Sequence, residues 1–295
     1  MKNGKLFSSL AVAFMLGTSC IAFAEDQTTA EEKSKADEQS TVKKPAAKSG
    51  TVMATHVASN ADELAKKLAN PIAAMISVPF QYNYAQTFNE DGYRNLLNIQ
   101  PVVPISISKD WNLISRTILP IIQQKDVQPN NTQFGFGDTT QSFWFSPKQP
   151  TSSGLIWGVG PAALIPTGTD GIGASTFALG PTAIVLKQEG PWTYGMLFNQ
   201  LWNIGGQADI SSMFIQPFLA KGLGKGRTVS LNSESTYNWD TKKWSVPINV
   251  AYSKVTKWGK QMVSNQIGAG WYATGPSGGP EWQFRYMLVL LFPKG

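Results

Sequence analysis

From Ile72 to its end the chain sustains no helical period. Apolar residues recur instead at every second position, in runs of roughly ten residues split by Gly, Pro, Asn and Asp. Twelve such runs can be placed, at 74–87, 93–107, 111–123, 132–146, 154–166, 175–188, 191–204, 209–222, 227–239, 243–256, 261–274 and 281–293. Side chains of a strand alternate between its two faces, so each run has one apolar face and one polar face. In 281–293 the apolar face is Trp282, Phe284, Tyr286, Leu288, Leu290 and Phe292, while Gln283 and Arg285 lie on the other. In 191–204 Trp192, Tyr194, Met196, Phe198 and Trp202 oppose Thr193, Gly195, Asn199 and Asn203. Trp244, Val246, Ile248, Val250 and Tyr252 oppose Ser245, Asn249 and Ser253 in 243–256. Leu97, Ile99, Val103, Ile105 and Ile107 oppose Asn98, Gln100 and Ser106 in 93–107. The polar face of 227–239 is unbroken: Thr228, Ser230, Asn232, Glu234, Thr236 and Asn238.

Two all-β architectures could hold such strands. A soluble two-sheet sandwich would bury the apolar faces and show Lys and Glu outside. Here the polar faces carry Ser, Thr, Asn, Gln and Gly, and charged residues are only 15% of the chain, against about a quarter in soluble domains. A mean hydropathy of −0.15 is equally far from a helical membrane protein. Aromatics gather near run ends (Trp111, Trp192, Trp202, Trp239, Trp244, Trp282), where interfacial girdles place them. The pattern therefore predicts an all-β chain, a transmembrane antiparallel up-and-down β-barrel of about twelve strands, preceded by a short helix. Trp192, Trp202, Trp239, Trp244 and Trp282 are its candidate lipid-facing girdle. Candidate lumen-lining residues are Arg285, Glu234, Asn232, Asn199, Gln283, Asp138 and Arg116. Arg116 shares parity with Ile114 and Ile118, so parity alone does not orient it. Prolines 79, 101, 104, 120, 161, 181, 217 and 247 fall inside runs and predict bends or bulges near the rims.

The N-terminal quarter reads differently. Residues 1–24 carry Lys2 and Lys5, the apolar stretch "LFSSLAVAFMLG" and "AFA" before Glu25, the layout of a signal peptide. A membrane-spanning helix would need a longer apolar run, and "LGTSC" departs from a lipid-anchor motif at Gly17. Cleavage after Ala24 would leave a chain without cysteine, Cys20 being the only one. Residues 25–58 are Glu-, Lys-, Ser- and Thr-rich without an aromatic, predicting a disordered, charged periplasmic segment. Residues 59–70 predict a short amphipathic helix: Asn60 and Glu63 resemble a capping box, Leu64, Ala65 and Leu68 share a face, and Asn70-Pro71 ends it. The barrel is assigned to 71–295. Such a helix is marginal alone and must dock on the barrel mouth or the membrane interface.

Chemistry is sparse. The only histidine, His56, lies outside the barrel, which leaves no Ser-His pair and no His/Cys metal cluster. "GIGAS" (171–175) and "GLGKG" (222–226) lack the strand–loop–helix context of a phosphate loop and read as turns. No catalytic, cofactor-binding or metal site is expected, and the chain is read as no enzyme. The net charge of +6 divides into +5 from Pro71 onward, with no basic block longer than two; a nucleic-acid patch would be clustered. Asp138 and Glu234 against Arg94, Arg116 and Arg285 either tune passage of ions and solutes or hold the lumen together as ion pairs.

The stretches "LAKKLANPIAAMISVPFQYNY" (64–84), "NIQPVVPISI" (98–107), "WNLISRTILPII" (111–122), "FGFGDTTQSFWFSP" (134–147), "GVGPAALIPTGTD" (158–170) and "GPTAIVLKQEGPWTYGMLFNQLW" (180–202) resemble one family. It is that of the outer-membrane barrels related to proteins of the phenol-degradation meta pathway, described as transporters and often mislabelled "neuromedin U". The likeness runs from about residue 60 onward and implies a Gram-negative outer-membrane barrel. The C-terminal run is similar to an outer-membrane assembly signal, departing from it in the Pro293-Lys294-Gly295 that follows Phe292. The implied partners are membrane lipid and lipopolysaccharide, the outer-membrane assembly machinery and an unknown small solute, with no nucleic acid and no cofactor. The expected function is passive passage of small solutes across the outer membrane; the alternative is a non-conducting structural or binding barrel.

Overall fold

The computed structural model describes residues 60–87, 92–127 and 132–293. The expected signal peptide, the charged segment 25–58 and His56 lie outside these residues. Helix α1 (60–68) comes first. The strands are β1 (Ile76–Thr87), β2 (Tyr93–Ile99), β3 (Val102–Ser106), β4 (Trp111–Lys125), β5 (Thr132–Phe136), β6 (Thr139–Pro147), β7 (Leu155–Ile165) and β8 (Thr176–Glu189). There follow β9 (Trp192–Gly206), β10 (Ser211–Gly224), β11 (Arg227–Ser233), β12 (Ser235–Asn238), β13 (Lys243–Trp258), β14 (Gln261–Thr274) and β15 (Pro280–Phe292).

Three of these pairs are single barrel strands broken once: β2 and β3 at Gln100-Pro101, β5 and β6 at Gly137-Asp138, β11 and β12 at Glu234. Counted so, the described residues form twelve antiparallel strands, each beside its chain neighbour. Ile76 pairs with Phe292 and Pro79 with Val289, so β1 and β15 close the sheet and leave no edge. The predicted runs and the observed strands agree to within a few residues.

Two of the three breaks have a local cause. Pro101 cannot donate to a ladder. Gly137 and Asp138 turn the strand aside. The prolines are not confined to the rims, however. Pro161 and Pro181 face each other within β7 and β8, so one rung lacks both donors at once. There the backbones crowd: a Cβ on Gly160 would meet the Phe143 carbonyl oxygen, and one on Gly180 that of Gln200.

The two rims differ. At the rim carrying the chain termini of the barrel, β8–β9, β10–β11 and β13–β14 are joined by two-residue turns, 190–191, 225–226 and 259–260, and β3–β4 and β6–β7 by four and seven residues, 107–110 and 148–154. At the far rim the connections run from four residues (207–210, 239–242) to ten (166–175). Lys225 and Gly226 both have positive φ, 56° and 71°, the requirement of a tight hairpin turn matched to strand twist.

Candidate functional site

Alternation decides what faces the interior. On the outside, Val250 is 53% exposed, Ile267 54% and Trp271 58%, a surface no soluble protein of this size leaves bare. Trp192, Trp202, Trp239 and Trp244 are exposed on it, and Trp282 is half-buried against Tyr84. Trp192 and Trp202 stand at opposite ends of the outer face of β9. Ten residues separate them, about 33 Å along the strand and about 25 Å in projection at a tilt near 40°. Trp192 is covered by Lys221, whose Nζ lies 4.8 Å from its ring centre; Trp239 and Trp244 both pack on Tyr237.

The interior has two unlike walls. On the wall of β15, β1, β2 and β4 polar inward side chains cluster among apolar ones such as Leu96, Ile122 and Val289. Arg285, 5% exposed, donates Nη1 and Nη2 to Glu234 Oε1 and Oε2 at 2.9 and 2.8 Å, and Nε to Asn83 Oδ1 at 2.7 Å. Glu234 stands at the break between β11 and β12, so this forked pair spans the lumen from β15, passing over β13 and β14. Beside it Gln283 donates to Asn249 Oδ1, and Asn249 to Asn232 Oδ1. Arg116 points inward and donates to Gln100 Oε1 at 2.8 Å, which settles the orientation that parity left open. Arg94 donates to Gln124 Oε1 at 2.8 Å.

The other wall is apolar, against the expectation of a uniformly polar lumen. Ile114, Trp144, Ile184, Leu186, Leu197 and Phe214 pack together inside the barrel, and Ile72 caps them. Trp144 is 1% exposed and its indole N–H donates to Thr182 Oγ1. The signal for this wall was present in "SFWF" and "AIVL", where consecutive rather than alternate residues are apolar, the mark of a strand buried on both faces. Asn199 lies on β9 on this side, half-buried and outside the polar cluster. Asp138 does not act as a free lumen charge. Its two oxygens accept the backbone N–H groups of Gly168 and Ala174, which ties the 166–175 connection to the broken strand.

Helix α1 sits in the mouth at the short-turn rim. Ala61, Leu64 and Ala65, with Leu68 alongside, pack on Met75, Val255, Val289 and Leu291, the inner faces of β13 and β15. From the opposite side Gln188 donates to the Lys66 carbonyl and Lys66 Nζ reaches the Gly190 carbonyl. Asp62 Oδ1 accepts the Gly226 N–H at 2.5 Å. A Cβ on Gly226 would lie 3.0 Å from Ala61 Cβ, so this turn needs glycine both for its φ and for the helix to approach. Glu63 pairs with Lys67 at 2.6 Å, and that ammonium holds its carboxyl below the usual range. A cavity of about 220 Å³ opens between α1 and the β8–β11 rim, lined by Asp62, Lys66, Gly190, Ala220 and Thr228 among others. Among the described residues no three His, Cys, Asp or Glu side chains gather as metal ligands.

No protein-family model matches the chain, and no curated protein matches it. Among solved structures it is similar to the COG4313 outer membrane channel from Pseudomonas putida F1, at 16% identity and a TM-score of 0.59, over 74% of this chain and 94% of that one. The KdgM porin has a TM-score of 0.44 at 13% identity, over 74% and 99% of the two chains. Outer membrane phospholipase A from Escherichia coli has the same score at 10% identity, over 77% and 98%. These neighbours are outer-membrane barrels, and at such identities the likeness is one of fold. The expectation that the chain is no enzyme does not stand: a phospholipase is among the similar structures, and a fold does not by itself decide activity.

Proposed function

We propose that the chain is an outer-membrane channel for small solutes, of the family related to the phenol-degradation meta pathway barrels. The observation that carries this reading is the pairing of two faces: aliphatic and aromatic side chains outside between two tryptophan levels, and a cluster of polar and charged ones on one inner wall. A bilayer solvates the first, water and solute the second. Lipid and lipopolysaccharide would then contact the outer face, and the assembly machinery would read the β15 pattern. The similarity to an outer membrane channel supports the same reading. Short turns mark the periplasmic rim by general rule, and in this reading α1 would face the periplasm.

In this reading α1 is the stopper of the periplasmic mouth. Leu64, Ile72 and Met75 are 2%, 4% and 4% exposed, each yielding about 1.5–3 kcal/mol on burial. Ordering the segment opposes that gain, so the stopper is seated yet releasable. Planar-bilayer recording of the purified full-length protein tests the proposal. Discrete conductance steps are expected, rare or small with α1 seated. A folded barrel that never conducts, with α1 present or removed, would leave the structural-barrel reading in its place.

A further inference from the structure

We infer that the inner wall of β15, β1, β2–β3 and β4 is a track for small anions, recognised by guanidinium groups. The inference rests on the channel reading and names its solute class. Three arginines point inward along this wall, and their heights follow from strand register. Arg94 pairs with Gln124 and Ala85. The β1–β15 pairing (Pro79 with Val289) places Arg285 beside Asn83, which pairs with Leu96, one inward step below. Arg116 pairs with Val102, eight residues beyond Arg94 on the same barrel strand. At about 3.3 Å per residue the backbone positions that carry them span roughly 25 Å along the strand.

Their counter-charge is small. Among the described residues Glu234 is the one carboxylate ion-paired to any of them, and Arg285 takes both its oxygens. Asp138 is spent on two backbone amides. Arg94 and Arg116 donate only to neutral glutamine oxygens, with no carboxylate in salt-bridge reach among the described residues. A half-buried guanidinium hydrogen-bonded to an amide alone keeps its charge and its remaining donors, which an anion can take up. A second observation marks the space between the rungs. Asn98 is fully buried and inward-facing, paired in register with Gln81 and Pro120. Neither its Nδ2 nor its Oδ1 has a hydrogen-bond partner. Buried amides are ordinarily satisfied; this one offers a donor and an acceptor where a passing solute or its water would find them. With low-dielectric walls around it, an excess of positive charge concentrates anions and repels cations.

The test is the sign of ion selectivity, read as the chloride-to-potassium permeability ratio from reversal potentials in a KCl gradient, with acetate then replacing chloride. The wild-type protein carries the first readout. A ratio several-fold above one, with acetate also permeant, is expected; a ratio at or below one overturns the inference while leaving the channel reading intact. Absence of conductance overturns both. Arg116→Gln is expected to lower the ratio, and Arg116→Glu to lower it further, in protein that still migrates as a folded barrel before heating. An unchanged ratio in both folded variants would show that Arg116 braces the wall and selects nothing, and the inference would fall.

Discussion

The forked pair between Arg285 and Glu234 makes a quantitative test of how dry the barrel interior is. Both side chains are nearly out of reach of solvent, at 5% and 9% exposure, and three hydrogen bonds of 2.7–2.9 Å hold the guanidinium. Arg285→Met leaves the Glu234 carboxylate facing only the more distant Arg116; Glu234→Gln leaves Arg285 with Asn83. Removing one partner of such a pair costs about 3–5 kcal/mol, because the remaining charge is stranded, whereas replacing both is often close to neutral. The double variant is therefore expected to be more stable than the sum of the single losses predicts, by roughly 6–10 kcal/mol if replacing both is neutral. Urea unfolding of the refolded barrel in lipid vesicles, followed by tryptophan fluorescence, measures all four corners of the cycle. Single losses below about 1 kcal/mol, the range of exposed pairs, together with additivity, would refute the reasoning. They would mean that water fills the lumen at this level and that the pair does not partition it.

Leu288→Arg places a charge on the outer face of β15 and is expected to cost about 2–4 kcal/mol near mid-bilayer; Asn232→Arg, on an inward position, is expected to be much milder. Equal losses in the same unfolding assay would show the face assignment wrong. Gly226→Val combines a φ of 71° with a Cβ 3.0 Å from Ala61. It is expected to unseat α1 and speed amide exchange across 60–68, and unchanged exchange would show that the turn does not hold the helix. Deleting residues 25–69 is expected to leave a folded barrel with equal or higher conductance. Failure of that variant to assemble would make the helix part of the fold. Mature protein is expected to begin at Glu25 and to migrate faster before boiling than after; recovery from a soluble periplasmic fraction contradicts the membrane reading.

Strand faces were legible because alternation is a local property: nothing beyond a residue's parity is needed to place Trp192, Arg285 or Leu288. The same rule reaches Asn83, whose run alternates Ser77, Gln81 and Asn83 with Val78, Phe80, Tyr82 and Tyr84, although its bond to Arg285 is a contact 202 residues away in sequence. What parity cannot supply is the far partner. The pairing of Arg285 with Glu234 depends on closure and strand tilt, and the seat of α1 depends on two hairpin turns, 190–191 and 225–226, meeting at one rim. Asp138 illustrates a second limit, since a carboxylate beside glycines serves a lumen or a loop equally well until the loop's amides are in place. The apolar wall around Trp144 was masked by the assumption that one face of every strand is wet.

The seat of α1 also has an order of construction. Val289 and Leu291, against which Leu64 packs, belong to β15, while α1 itself is leashed by seven residues (69–75) to β1. The strand at each end of the barrel thus brings half of the same joint, and neither half is complete before β1 meets β15. The whole seat exists only in the closed ring, so a helix fully seated is the mark of a cylinder sealed in register.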